Sequence, residues 1–132
     1  MIVGETDYKR EAVLMLTIQS GTGTVETVGA VIDTGFSDAL MIEEPLAQRL
    51  GSTQRDSRPY QLGDGSRVWL NRYEVTLDWN GETRTVIATG SDGDGILIGM
   101  RLLYGYSLTI DVIDGGAVRL LRWTDERCLR RH

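Results

Sequence analysis

Val31-Ile32-Asp33-Thr34-Gly35-Phe36-Ser37-Asp38-Ala39-Leu40 is the stretch whose reading decides the fold. An apolar, partly β-branched run (Val28, Ala30, Val31, Ile32) ends abruptly in an acid, a hydroxyl and a glycine. A second apolar run, Ala39-Leu40-Met41-Ile42, follows at once. Runs of this kind read as buried strands. A carboxylate beside such a strand is costly, because burial without partners strips its hydration or drives it to the protonated form. Gly35 either admits a close backbone neighbour or takes a dihedral that other residues resist. Two readings stand open at this point: a reactive carboxylate at a strand end, or an acid that accepts backbone hydrogen bonds in its own turn.

The 132 residues fit one domain, and 41% hydrophobic with 25% charged residues is the composition of a globular chain able to bury a core. Sixteen glycines against two prolines point to many turns and a β-rich architecture. A net charge of −5 argues against nucleic acid as a partner, since phosphate binding needs a basic surface. Lys9 is the only lysine, and no argument from sequence accounts for that bias toward arginine. Cys128 stands alone, which rules out an intrachain disulfide and fits a reducing compartment. His132 is the only histidine, so neither a Cys/His metal cluster nor a nucleophile paired with a histidine base can be assembled. Residues Met1 to Asp7 lack the pattern of a signal peptide, and no apolar run reaches membrane-spanning length. The expectation is a cytoplasmic protein with no cofactor, no metal and no membrane partner.

Working outward from Asp33, Ala12 to Ile18 is a strand with Leu14, Leu16 and Ile18 on one face and Val13, Met15 and Thr17 on the other, which predicts cover on both sides. A turn at Ser20 to Thr24 joins it to the strand that delivers Asp33, and Met1 to Gly4 reads as a further short strand. Glu43 to Gly51 reads as a short helix, with Pro45 in its first turn, two glutamates at its positive end and Gly51 to stop it. Ser52 to Pro59 reads as a polar connection, and Tyr60 to Leu70 as two extended arms around a Gly63-Asp64-Gly65 tip. Tyr73, Val75, Leu77 and Trp79 alternate up to Asn80-Gly81, a strong hairpin signal, and Thr83 to Thr89 returns. Ser91 to Gly95 is a solvated acidic loop without the spacing of a calcium site. Ile96 to Gly99 is an apolar strand, Met100 to Tyr104 one or two helical turns, Leu108 to Val112 a strand, and Ala117 to Leu121 another after a turn at Asp114 to Gly116. Trp69, Trp79 and Trp123 read as core or interface aromatics.

Asp33-Thr34-Gly35 after an apolar strand, a Gly-x-Gly hairpin further on, and Ile96-Leu97-Ile98-Gly99 before Leu102-Leu103 together resemble a retropepsin-type aspartic protease. The chain is more closely similar to the small single-domain clan AA aspartic proteases of bacteria and archaea. It matches their pattern at Asp33 to Phe36, Asp64 to Ser66, Ile98-Gly99, Leu102-Leu103 and Gly105 to Ile110. The resemblance implies a closed, mainly β barrel with one or two short helices spanning residues 1–121, followed by a polar, arginine-rich tail at 122–132.

It further implies a peptide-bond hydrolase in which two carboxylates, one charged and one protonated, activate water. One Asp-Thr-Gly occurs in the chain, so such a pair requires a homodimer with one Asp33 from each subunit at the twofold axis. Asp33, Thr34 and Gly35 are then the catalytic loop, backed by Ile98-Gly99. Phe36, Asp38, Leu62, Gly63, Asp64 and Gly65 are the implied substrate-binding residues, the last four as a flap over an extended peptide. The sequence departs from the classical members at Phe36, where they carry a small residue, and at Leu62, where pepsin-like flaps carry tyrosine; Tyr60 lies two residues away. Asp38 is open to two roles, contact with a substrate backbone or support of its own loop. A non-catalytic dimeric β module that binds an extended peptide is the alternative function, and a domain in which Asp33 only caps its turn is the third.

Overall fold

A computed structural model describes residues 1–124. In chain order the elements are β1 (Ile2–Thr6), β2 (Ala12–Gln19), β3 (Val25–Ile32), β4 (Leu40–Glu43), α1 (Glu44–Arg49), β5 (Thr53–Gln61) and β6 (Arg67–Trp79). They continue with β7 (Glu82–Ser91), β8 (Leu97–Ile98), α2 (Met100–Leu103), β9 (Tyr106–Ile110) and β10 (Ala117–Arg122). The strands form one sheet in the order β5-β6-β7-β4-β8-β3-β2-β1-β10-β9. A further pairing of β2 with β6, Ile18 opposite Leu77 and Gln19 opposite Thr76, curls the sheet back on itself. Strands β2, β3, β8, β4, β7 and β6 thereby close a six-stranded barrel, the mainly β architecture with two short helices that the sequence led us to expect.

Alternating side chains of these strands fill the barrel. Leu14, Leu16 and Ile18 from β2, Leu40 and Ile42 from β4, Leu77 and Trp79 from β6, and Ile98 from β8 are all essentially inaccessible. Burying each such aliphatic side chain is worth about 1.5–3 kcal/mol, so this layer supplies the main driving force for closure. Leu46, Leu50 and Leu102 from the helical segments complete the core. Trp79 meets Tyr106 of β9 edge to face at 5.9 Å, which ties the peripheral strands to the barrel. The Asn80-Gly81 turn takes positive φ at both residues, 55° and 79°, as a two-residue hairpin between twisted strands requires.

Three expectations change. The outer face of β2 is not covered: Met15 is 64% exposed and Thr17 is exposed, because a barrel has a single interior and period-two alternation sends every second side chain outward. Residues 52–59 are not a loose connection, since β5 starts at Thr53 and pairs with β6 from Thr53 opposite Glu74 to Gln61 opposite Arg67. This arm is mostly exposed and polar, so it carries no hydrophobic alternation to betray it. Val112 lies beyond β9, which ends at Ile110, and is 69% exposed. Of the tryptophans expected at core or interface positions, Trp79 is a core residue and Trp69, on the β6 arm of the hairpin, is 71% exposed. Of the arginine-rich tail expected at 122–132, Arg122 ends β10 opposite Tyr106, and the part beyond Thr124, with Cys128 and His132, lies outside the described residues.

Each of the outermost strands of the chain is paired on both sides. β1 sits between β2 and β10, and β10 between β1 and β9, so among the described residues the outer edge of β9 is the open one at that end of the sheet.

Helix α1 is fastened to β6 by a polar cluster. The Tyr73 hydroxyl donates to Glu44 Oε2 at 2.6 Å and accepts from Gln48 Nε2 at 3.3 Å. Burial, and then the Glu44 carboxylate, push the Tyr73 phenol above its ordinary pKa. Tyr73→Phe removes the donor from a half-buried carboxylate. We expect a loss of about 1.5–3 kcal/mol in urea unfolding, the range for hydrogen bonds to charged groups.

Candidate active site

The path of the chain into Asp33 is set by a parallel ladder. β3 pairs with β8, Val31 opposite Leu97 and Ile32 opposite Ile98. Backbone bonds from Val31 N–H to the Ile96 carbonyl (2.8 Å) and from Asp33 N–H to the Ile98 carbonyl (2.9 Å) carry the ladder up to the acid itself. There the chain turns. Asp33 Oδ1 accepts the Gly35 N–H at 2.9 Å, and the Asp33 carbonyl accepts the Phe36 N–H at 3.1 Å. Asp33 is half-buried, while Thr34 and Gly35 are exposed. No described residue donates to Asp33 Oδ2, so one carboxylate oxygen is committed to the turn and the other is open.

The turn is backed by Ile98-Gly99, as expected. Gly99 N–H donates to the Ala39 carbonyl at 3.0 Å and Met100 N–H to the Phe36 carbonyl at 2.7 Å. A Cβ at position 99 would stand 2.7 Å from the Phe36 carbonyl oxygen and 2.6 Å from its ring, and would run into the Asp38 carbonyl. Only glycine fits. Gly35 is different: its φ lies outside the left-handed region, and the only near atom for a Cβ is Asp33 Oδ1 at 3.2 Å. The dihedral explanation for Gly35 therefore falls away.

Asp38 is held by the hairpin arm. Tyr60 on β5 donates its hydroxyl to Asp38 Oδ2 at 3.1 Å, and Tyr60 lies 3.2 Å from the hydroxyl of buried Thr89 on β7. Tyr60 is the member of this site that sequence reasoning left out. Its place two residues before the hairpin tip was the available signal. Asp38 and Tyr60 together border a groove of about 610 Å³ between the loop, the hairpin arm and β7.

The hairpin tip is self-contained. Leu62 N–H donates to the Ser66 carbonyl at 2.7 Å, and Asp64 Oδ1 accepts the Ser66 hydroxyl at 2.6 Å and its N–H at 2.9 Å. Those two bonds, the hydroxyl first, hold the Asp64 carboxyl below its ordinary pKa. Leu62, Gly63, Asp64 and Gly65 are all exposed. The structure thus brings Asp33, Thr34, Gly35, Phe36 and Asp38 together in one loop, and joins the hairpin to that loop at Tyr60 rather than at its tip. Among the described residues no group of three or more His, Cys, Asp or Glu side chains is arranged to hold a metal ion.

Two substitutions test this geometry. Gly99→Ala forces a side chain against backbone atoms, and we expect it to cost about 3 kcal/mol in chemical unfolding, the upper part of the range for overpacking. Ser66→Ala removes the principal support of the Asp64 carboxylate, so Asp64 should titrate closer to the ordinary value when followed by NMR. The folded value lies below the unfolded one. The stabilisation of the tip is therefore present above the ordinary carboxylate range and lost as pH falls through Asp64's folded pKa.

The sequence matches no protein-family model and no curated protein sequence. Solved structures are similar at the level of the fold. One is a retropepsin-like aspartic protease from Rickettsia conorii, with a TM-score of 0.61 and 18% identity over 89% of this chain and 88% of that one. Another is the EIAV protease in complex with an inhibitor, with a TM-score of 0.52 and 20% identity over 73% of this chain and 88% of that one. The closed six-stranded barrel, the Asp33 turn and the Gly99 crossing behind it give this chain the retropepsin-like fold.

Proposed function

We propose that the chain is an aspartic endopeptidase that acts as a homodimer. The observation that carries this reading is the Asp33-Thr34-Gly35 turn: rigidly backed by Gly99, exposed at Thr34 and Gly35, and with one Asp33 oxygen left open. An acid that served only as a turn cap would gain nothing from an exposed, glycine-bearing approach. One Asp33 per chain supplies half of a dyad, and a twofold axis through the exposed turn would bring two together. Like charges at that distance share one proton.

The chemistry then follows from the pair. The charged carboxylate takes a proton from water as the water oxygen bonds to the peptide carbonyl carbon, and the protonated carboxyl gives its proton to the carbonyl oxygen. The resulting gem-diol collapses with cleavage of the C–N bond, the proton passing to the departing amine. Phe36 and Asp38 would flank the bound peptide, and the Leu62-Gly63-Asp64-Gly65 tip would close over it. Tyr60 would transmit the position of the hairpin to Asp38. No helix of the described residues is long and apolar enough to cross a membrane. We infer a cytoplasmic site of action from the lone cysteine.

Cleavage of a peptide library by wild type and Asp33→Asn, from about pH 4 to 7, tests the proposal. The variant should lose activity by about a thousandfold, the scale of acid–base catalysis. Wild-type specific activity should rise with protein concentration. Equal cleavage by both proteins would refute the mechanism, and a dimer that holds peptides without cutting them would favour the binding module. Phe36 brings no hydroxyl to the dyad, so one hydrogen bond favouring ionisation is missing there. The acid limb of the pH–rate profile should accordingly lie above pepsin's, and a limb below about pH 3 would contradict this.

A further inference from the structure

The groove beside Asp38 carries a charge pattern that water activation does not need. Arg58 on β5, Arg72 on β6, Arg84 on β7 and Arg101 on α2 all line it, and Asp38 is the only acidic residue among the lining side chains. Asp56 pairs with Arg58 and Arg72, each at 3.5 Å. Among the described residues, Arg84 and Arg101 have no ion-pair partner. Three consecutive strands and helix α2 thus converge guanidinium groups on one cavity, in a chain whose net charge is −5. Composition does not produce that concentration of positive charge. Mutual repulsion opposes it, and a cleft lined by one sign of charge focuses the field on a ligand of the other.

The cations are all arginine, as are thirteen of the chain's fourteen Lys and Arg residues. A guanidinium presents a planar fork of donors that matches a carboxylate in two parallel bonds, which an ammonium cannot do. Ala39, Pro59, Val86 and Ile87 line the same groove and offer apolar contact for the methylenes of a side chain. A volume of about 610 Å³ is ample for one side chain with its flanking backbone. Asp33, Thr34 and Gly35 are not among the lining residues, so the group held here is displaced along the peptide from the bond at Asp33.

We propose that this groove is a specificity subsite for an acidic side chain, Asp or Glu, of the peptide substrate, gripped by Arg84 and Arg101. The proposal rests on the reading of the chain as a peptide-acting protein and names the substrate class of that same cleft. Arg58 and Arg72 share the single charge of Asp56 and shape the wall, while Arg84 and Arg101, without an ion-pair partner among the described residues, supply the attraction.

The test is direct binding, because the groove lies within one chain and needs neither the dyad nor turnover. Fluorescence anisotropy would compare two labelled ten-residue peptides, an Ala-Glu repeat and the matching Ala-Gln repeat, with mass spectrometry confirming that both stay intact. Wild type should bind the Glu peptide about tenfold more tightly at low salt, and the difference should shrink as salt screens it. The double variant Arg84→Gln/Arg101→Gln should bind both peptides equally, with Arg84→Lys/Arg101→Lys keeping part of the preference. Both positions are half-buried or exposed, and circular dichroism verifies that the variants remain folded. Equal binding of the two peptides by wild type, binding of neither, or a Glu preference that survives the double Gln variant would overturn the proposal. Failure of wild type to cleave the peptide library would remove the endopeptidase reading and leave this result standing.

Discussion

Two backbone segments pass one another at contact distance where the Phe36-to-Ala39 loop crosses Gly99. The crossing is possible because position 99 has no side chain, and it is secured by hydrogen bonds from Gly99 and Met100 to the carbonyls of Ala39 and Phe36. On one side of it lies the parallel ladder that brings β3 to Asp33, and on the other the start of α2. Remove the crossing and the loop loses its backing, Asp33 loses its fixed direction, and Asp38 moves away from Tyr60. The buried leucines of β2, β4 and β6 give the barrel its stability. The crossing gives the site its shape.

The hairpin of β5 and β6 depends on the same loop from the outside. It is long, polar and largely exposed, and its tip is stabilised by its own Asp64–Ser66 bonds. Such an element has few apolar contacts to hold it in one place, which is the usual condition for a segment that moves. The hydrogen bond from Tyr60 to Asp38 is where its position becomes linked to the loop. Both residues of that bond also line the arginine-bearing groove, so hairpin position and loop position meet at one carboxylate.

Much of this was legible in sequence. Asp33-Thr34-Gly35, Ile98-Gly99 and the Asn80-Gly81 hairpin each have a local physical signature, a strand ended by an acid or a turn that demands positive φ. The covering of β2 was misread because alternation of apolar residues on both faces looks the same whether the outer face meets a second layer or water. β5 was invisible because its pairing partner, not its own composition, makes it a strand. The convergence of Arg58, Arg72, Arg84 and Arg101 could not be read at all, since it exists only once β5, β6, β7 and α2 are placed side by side. The sequence showed the excess of arginine over lysine without showing its location.

In the proposed enzyme one chain holds half of a catalytic pair. The most direct measurement mixes wild type with Asp33→Asn at constant total concentration, allows the subunits to exchange, and follows peptide cleavage against the wild-type fraction. A dyad shared between subunits predicts activity that falls as the square of that fraction, to about one quarter in an equal mixture. A straight-line fall to about one half would mean that each chain works alone, and would contradict a dyad shared between subunits.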